Sequence, residues 1–209
     1  MSTPEIILHG TELSGHAHRV ELLLRMLGLP YRFVAAPAAV RSSPEFYRLN
    51  PLRQIPVLQD GDLTLADSNA ILVYLAKRYA PGGQWLPEEP VAAAQVQRWL
   101  SIAAGEVRYG PALARMVCQW NFPGNLAQAK HIASELLPFM NEHLKTRRFL
   151  AAEHATIADL ACYSYVRHAP EGGVAIGEYT AVLAWLGRVE ALPHFKPIPP
   201  SPLPAPTST

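Results

Sequence analysis

Ser14 and His16 are the residues of this chain best placed for chemistry on a bound anion. Ser14-Gly15 precedes a helical pattern, so Ser14 stands where that helix begins. A hydroxyl there can donate a hydrogen bond to an anion, and the helix N-terminus adds partial positive charge. An imidazole at position 16 can donate or accept a proton. The alternative is that Ser14 only caps the helix and that His16 lies on its surface.

Ile55-Pro56 and Asp67-Ser68 form a second group, with the features of a peptide-binding edge. The proline begins a strand and keeps Ile55 extended, so the backbone of Ile55 can pair with an extended ligand. Asp67 and Ser68 are both good N-cap residues for the helix that follows. A helix N-terminus with a serine hydroxyl also suits a carboxylate. Capping and ligand binding are compatible at this position.

The elements that must position these residues follow from the apolar pattern and the breakers. The first helix has an apolar stripe and is stopped by Gly28 and Pro30. Strands are predicted at residues 5–9 and 31–34, a short helix at 44–49, a hairpin at 56–65 and a helix at 71–79. Asp60-Gly61 is the turn signal of the hairpin. The order β-α-β-α-β-β-α predicts an α/β layer with a mixed sheet.

The remainder of the chain has a helical pattern, interrupted at Gly110-Pro111 because proline lacks a backbone donor. We predict an α/β domain at residues 1–80, a linker at 81–90, an all-helical domain at 91–195 and a proline-rich, extended or disordered tail at 196–209. A tail that binds a partner as a polyproline helix is the alternative. Thr156 to Asp159 is a variant capping box, which we interpret as a buried structural cap.

The composition excludes several classes of function. The 209 residues include 18 basic and 17 acidic ones, for a net charge of +1, and no basic block stands out, so nucleic acid is not an expected partner. No apolar run approaches the roughly 20 residues that span a bilayer, and no signal pattern opens the chain, so we expect no membrane partner and a cytoplasmic location. Cys118 and Cys162 are expected to be buried free thiols, and no metal site is expected.

Five short motifs carry a resemblance to a known family. They are Gly28-Leu29-Pro30-Tyr31, Pro44-Glu45-Phe46 with Asn50-Pro51, Ile55-Pro56-Val57-Leu58, Asp67-Ser68-Asn69-Ala70-Ile71 and Thr156-Ile157-Ala158-Asp159-Leu160. Each is weak alone, but in this order and spacing they resemble the cytosolic glutathione transferases, from about residue 5 to residue 195. The resemblance implies a thioredoxin-like N-terminal domain, an all-α C-terminal domain and glutathione as co-substrate.

The resemblance also implies how glutathione would be held. A cis Ile55-Pro56 bond would turn the Ile55 backbone towards the cysteinyl part of glutathione, and a trans proline that begins an edge strand is the alternative. Asp67 would take the γ-glutamyl amine and Ser68 a carboxylate. Gln54 and Arg41 are candidates for the glycyl end, where an arginine would bind with two parallel N–H groups. For Arg41, a solvated loop charge is the alternative.

Ser14 lies where serine-type members of this family carry their catalytic serine, counting back from Gly28. There it would stabilise the thiolate, which is the reactive form of the glutathione thiol. His16 lies where related bacterial enzymes carry Asn or Cys near the sulfur, and the sequence leaves open which of the two residues activates the thiol. His18 is expected to face away. No cysteine stands at positions 14–16, which argues against enzymes that form a mixed disulfide with glutathione.

The electrophilic substrate is expected between the two domains, against the first long helix of the second domain. Candidate residues for this pocket are Arg108, Tyr109, Arg115, Met116 and Trp120. Aromatic and methionine side chains suit an adaptable hydrophobic pocket, although such residues are more often part of a core.

We therefore predict a serine-type, bacterial-looking glutathione transferase that acts in detoxification as a homodimer. Two alternatives remain. The same glutathione site would serve a glutathione-dependent peroxidase or disulfide reductase, or a non-catalytic regulatory module that only binds glutathione.

Overall fold

The computed structural model describes residues 5–204, which form a mixed sheet with helices followed by helices alone. The strands are β1 Ile6–Gly10, β2 Tyr31–Ala35, β3 Val57–Asp60 and β4 Leu63–Ala66. The helices are α1 Gly15–Met26, α2 Ala38–Arg41, α3 Pro44–Leu49, α4 Ser68–Tyr79, α5 Pro90–Ala104, α6 Leu113–Trp120, α7 Leu126–Leu144, α8 Ile157–Arg167 and α9 Thr180–Glu190. The predicted fold class, thioredoxin-like α/β followed by all-α, is confirmed.

The sheet has the strand order β2-β1-β3-β4, with β1 parallel to β2 and antiparallel to β3. In its centre, Leu8 of β1 lies opposite Phe33 of β2 and Leu58 of β3. The strands β3 and β4 are antiparallel and form the predicted hairpin. Gly61 in its turn has a φ of +57°, which glycine adopts without strain.

Helix α1 is fixed at both ends by local hydrogen bonds. At its start, Oγ of Ser14 accepts a hydrogen bond of 3.2 Å from the N–H of Ala17. At its end, Gly28 has a φ of +64°, and the next N–H, of Leu29, donates to the carbonyl of Leu24. Between the ends, Leu22, Leu23 and Leu24 are fully buried, so packing holds the helix against the rest of the fold.

One hydrophobic core continues from the sheet into the helical part. It joins Leu8 of β1 and Leu75 of α4 to Trp99 of α5 and Trp185 of α9, all of them fully buried. Helix α1 packs against both α4 and α8. The start of α1, where Ser14 lies, is therefore held by elements of both parts.

The helical part has the interruption that Gly110-Pro111 predicts. A π-helical segment, Arg108–Ala112, precedes α6, and Gly110 within it has non-helical dihedral angles. A Cβ at Gly110 would lie 3.1 Å from Ile132 and 3.2 Å from the backbone of Ala133, so α7 packs closely here. Within residues 5–204, none of the helices combines the length and the apolar character needed to cross a membrane.

The predicted capping box at the start of α8 is also confirmed. The carboxylate of Asp159 accepts hydrogen bonds from the N–H of Thr156 at 2.8 Å and of Leu150 at 2.9 Å. It also accepts from Nε1 of Trp185 at 2.9 Å, which ties α8 to α9. Both capping residues are completely buried, as the structural interpretation requires.

Residues 196–204 have neither helix nor strand, but they do not fit the prediction of a disordered tail. Ile198 is buried, and Lys196 and Ser201 form hydrogen bonds with the helical part and with α1. Composition predicted an extended chain here, but not these contacts. Residues 205–209 of the predicted tail lie outside the described residues.

Candidate active site

The N-termini of α1 and α4 meet at a contact between His16 and Ser68. Nδ1 of His16 lies 3.3 Å from Oγ of Ser68. Ser14 is the N-cap residue of α1, and Asp67 is the N-cap residue of α4. Because each helix N-terminus carries partial positive charge, their convergence creates a site suited to anions.

Asp67 adopts a conformation that is costly for its residue type. Its φ is +74°, and its Oδ1 accepts hydrogen bonds of 2.9 Å from the N–H groups of Asn69 and Ala70. A non-glycine residue in a sparsely populated backbone region costs about 1–3 kcal/mol, and such residues cluster at functional sites. The strain therefore supports a functional role for this cap.

Arg19 is a buried cation behind Ser68, and the sequence interpretation missed it. Its side chain is 1% exposed, and Nη1 donates to Oγ of Ser68 at 3.3 Å and to Oδ1 of Asn69 at 2.9 Å. Its Nε and Nη2 are buried without a partner among the described residues. Burial lowers the pKa of Arg19 because water no longer solvates its charge. A bound anion beside Ser68 would offset this cost.

His16 is neutral at neutral pH. Burial lowers its pKa well below the usual value, and the charges of Arg19 and Arg108 lower it further. Its ring lies edge-on to that of Tyr165, with 4.9 Å between the centroids. The same tyrosine leaves no room for a side chain at Gly15, where a Cβ would lie 2.8 Å from its ring. Tyr165 thus fixes the first turn of α1, and no local pattern in the sequence indicates it.

The bond between Ile55 and Pro56 is cis, as the resemblance implied. The turn before it is held by Asn50, which is buried and donates through Nδ2 to the carbonyl of Gln54 at 2.9 Å. Oδ1 of Asn50 accepts from the N–H of Leu52 at 3.0 Å. This turn sets the position of Ile55 just before β3, at one end of the sheet.

The two residues predicted for the glycyl end are not brought into contact with the rest of the site. Gln54 is exposed beside the cis proline. Arg41 ends α2, is half-buried, and has a buried Nε without a partner in the described part of the chain. Arg53 is exposed, with its guanidinium 5.4 Å from the ring centroid of Tyr47.

The residues predicted for the electrophile pocket separate into two groups. Tyr109 and Trp120 are 56% and 47% exposed, and Arg108 and Met116 are half-buried, so these four remain accessible. Arg115 is only 1% exposed and bonded to Glu171 at 2.6 Å. The prediction that Arg115 lines an open pocket is wrong, because its guanidinium is enclosed by protein.

His18 faces away from the contact between His16 and Ser68, as predicted. Its ring nitrogens bond to Oγ of Ser164 at 2.9 Å and to the carbonyl of Lys196 at 2.6 Å. Both cysteines are free thiols, but only Cys162 is buried, and Cys118 is half-buried.

Two helix N-termini and a cis proline can hold an extended anionic ligand, and comparison with known proteins shows the family to which the chain belongs. Residues 8–85 match the model of the glutathione S-transferase N-terminal domain, and residues 125–193 match that of the glutathione S-transferase C-terminal domain. Glutathione S-transferase 3 of Zea mays is 31% identical, with 97% of each chain covered. The chain belongs to the glutathione S-transferase family.

Solved structures give the same result. A glutathione S-transferase from Pseudomonas fluorescens Pf-5 has a TM-score of 0.86 and 30% identity, with 92% of this chain and 98% of that chain covered. A glutathione transferase homolog from Drosophila mojavensis, solved with bound glutathione, has a TM-score of 0.82 and 28% identity, with 91% and 89% covered.

Proposed function

We propose that this enzyme is a glutathione S-transferase in which Ser14 stabilises the glutathione thiolate for attack on a hydrophobic electrophile. The observation that carries this proposal is the contact between the N-termini of α1 and α4 at His16 and Ser68, next to the N-cap residue Ser14. Two helix N-termini and a hydroxyl provide what a thiolate needs, which is positive potential and a hydrogen-bond donor.

Glutathione is held by its backbone and by its two ends. The Ile55 backbone pairs with the cysteinyl residue, as in the addition of a strand. The cap of α4 already uses the N–H groups of Asn69 and Ala70, so the γ-glutamyl carboxylate takes the N–H and hydroxyl of Ser68. Oδ2 of Asp67 receives the γ-glutamyl amine. Arg41 and Gln54 remain our candidates for binding the glycyl carboxylate.

The chemical step is a nucleophilic substitution or addition. The thiol gives its proton to water, and the sulfur forms a bond to the electrophilic carbon. In a substitution the leaving group departs with its electron pair, and in an addition the electron pair of the broken π bond takes up a proton from water. Ser14 donates to the sulfur throughout and is not consumed. Burial lowers the pKa of His16, which makes the imidazole a weak base, and the ring is bonded to Ser68, so a positioning role is favoured over that of a proton acceptor. Tyr109 and Trp120 offer an accessible apolar surface for the electrophile.

Activity with three kinds of substrate tests this function. We expect the protein to bind glutathione resin and to conjugate glutathione to an aryl halide faster than it reduces a disulfide or a hydroperoxide. Reduction without conjugation would instead support the peroxidase or disulfide reductase. Retention on the resin with neither activity would support a non-catalytic binding module.

Replacement of Arg19 by methionine is expected to weaken glutathione binding without destabilising the fold. The guanidinium holds Ser68 and its charge favours a carboxylate bound there, so loss of about 1.5–3 kcal/mol of this interaction should raise the Kd roughly 10-fold to 100-fold. The variant also removes a buried charge with unpartnered nitrogens, so its free energy of unfolding should not fall. Calorimetric titration and urea denaturation measure the two quantities. A loss of stability with unchanged affinity would contradict this role.

We also propose that the enzyme is a homodimer that acts in detoxification in the cytoplasm. An open groove of about 450 Å³ between β4, α4 and α5, lined by residues such as Leu65, Val73 and Leu100, offers apolar surface for a second copy. The two free cysteines suit a reducing compartment. Sedimentation equilibrium should give twice the chain mass of 22.9 kDa, and a monomer at micromolar concentration would contradict the dimer.

A further inference from the structure

The C-terminal segment 196–204 is attached to the protein at two places. At the first, the carbonyl of Lys196 accepts a hydrogen bond of 2.6 Å from Nε2 of His18, and its Nζ donates to Glu21 at 2.8 Å. His18 and Glu21 both lie on α1, the helix that Ser14 caps. Between the two places Ile198 is buried, with 4% of its surface exposed.

At the second place, the segment bonds to a buried ion pair. The N–H of Ser201 donates to Oε1 of Glu171 at 3.0 Å, and Nε2 of Gln119 donates to the carbonyl of Pro202 at 2.8 Å. Oε2 of Glu171 accepts from Nε of Arg115 at 2.6 Å. Both members of the pair are almost completely buried, and Nδ1 of His168 also lies 2.6 Å from Oε1 of Glu171, so the N–H of Ser201 is one of three close partners of this carboxylate.

The ion pair in turn holds the residue next to Ser14. Nη1 of Arg115 donates to the carbonyl of Leu13 at 2.8 Å. The backbones that carry the pair pack closely, since a Cβ at Gly172 would lie 2.5 Å from the backbone nitrogen of Arg115. A continuous series of hydrogen bonds therefore runs from Ser201 through Glu171 and Arg115 to the peptide unit between Leu13 and Ser14.

We propose that segment 196–204 is a strap that positions Ser14 through Arg115, which makes Arg115 a positioning residue of the reaction. The inference rests on the proposed role of Ser14. The hydroxyl of Ser14 must lie within hydrogen-bond distance of the sulfur, and displacement of a catalytic group by about 1 Å can cost 100-fold in rate. Without the strap, Glu171 loses a donor, His18 loses its acceptor, and the Arg115 contact to Leu13 loosens.

Truncation after residue 195, compared with truncation after residue 204, tests the strap. We expect the 1–195 chain to lose about 10-fold in kcat, with the KM for glutathione changed less than about 2-fold. The reason is that Leu13 and Ser14 move, whereas the glutathione contacts at the N-terminus of α4 stay in place. The pKa of the bound glutathione thiol should rise in the same chain. The 1–204 chain should match the full-length protein. Unchanged kcat and thiol pKa in the 1–195 chain would overturn the proposal.

Two further measurements test the strap even if the truncated chain folds poorly or the protein lacks the proposed activity. Ser201→Pro removes the N–H that donates to Glu171, whereas Ser201→Ala keeps it and loses only the longer contact of 3.4 Å between its Oγ and Nη2 of Arg115, so the proline variant should show the larger loss of kcat. Hydrogen exchange of the amides at residues 13–17 should become faster in Ser201→Pro than in Ser201→Ala. Faster exchange in a protein without transferase activity would support the link while the proposed function fails. Equal exchange in the two variants would refute the link.

Discussion

Replacing Ser14 by alanine should lower kcat at saturating glutathione by about 10-fold to 100-fold, which corresponds to a lost hydrogen bond to a charged group of about 1.5–3 kcal/mol. A hydroxyl has one donor and two acceptor sites. In the structure Oγ of Ser14 accepts from the N–H of Ala17, so its proton remains free to be donated to a bound sulfur. One side chain can therefore cap α1 and stabilise the thiolate. Conjugation of an aryl halide measures the effect.

Ser43 provides a matched control for the capping role of Ser14. It is the N-cap residue of α3, and its Oγ accepts from the N–H of Phe46 at the same distance, 3.2 Å. Each alanine variant should lose about 1 kcal/mol of stability, which is typical of a lost N-cap. Only Ser14→Ala should lose activity beyond what stability explains. Equal activity of the two variants would mean that Ser14 is a cap and nothing more.

Replacing Asp159 by alanine should lower the free energy of unfolding by about 3–5 kcal/mol, since it breaks a buried network and leaves several donors unpaired. The carboxylate is completely buried and accepts from the N–H of Leu150, from the N–H and hydroxyl of Thr156 and from the indole of Trp185. Burial raises the pKa of Asp159, and these four donors act against that shift. The network joins α8, α9 and the segment around Leu150 that precedes α8, so its loss affects the whole helical part.

Two controls make the stability prediction specific. Asp159→Asn keeps one acceptor oxygen and removes the buried charge, so it should cost less than Asp159→Ala. Glu178→Ala, at an exposed carboxylate, should change stability by less than about 0.5 kcal/mol. Denaturation in urea measures all three variants. A loss below about 1 kcal/mol for Asp159→Ala would contradict the network's role.

The α/β order, the hairpin and the helix starts could be predicted from the sequence because each depends on neighbouring residues. Gly28 ends α1, Asp60-Gly61 forms the turn, and Thr156 caps α8, all through contacts a few residues apart. The cis proline at position 56 came from the family resemblance. The capping positions of Ser14 and Asp67, by contrast, could be predicted directly from their local patterns.

The contacts between distant segments could not be predicted in this way. Arg115 was assigned to a substrate pocket because it follows the first long helix of the second domain, but its partner Glu171 is 56 residues away. Arg19 directly precedes Val20, the first residue of the apolar stripe of α1, and this position was the one local signal that its side chain is buried. The strap was predicted to be extended or disordered because its composition is rich in proline. Its docking depends instead on a few hydrogen bonds and on the burial of Ile198.

The pKa of the glutathione thiol on the enzyme tests the central claim most directly, and the ultraviolet absorbance of the thiolate measures it as a function of pH. In the wild-type protein we expect a pKa about two units below that of a free thiol, as for other thiols at helix N-termini. Ser14→Ala should recover most of that difference, and His16→Ala should recover little, because a neutral imidazole adds no charge. If Ser14→Ala leaves the pKa of the bound thiol unchanged, Ser14 does not stabilise the thiolate and the proposed mechanism is wrong.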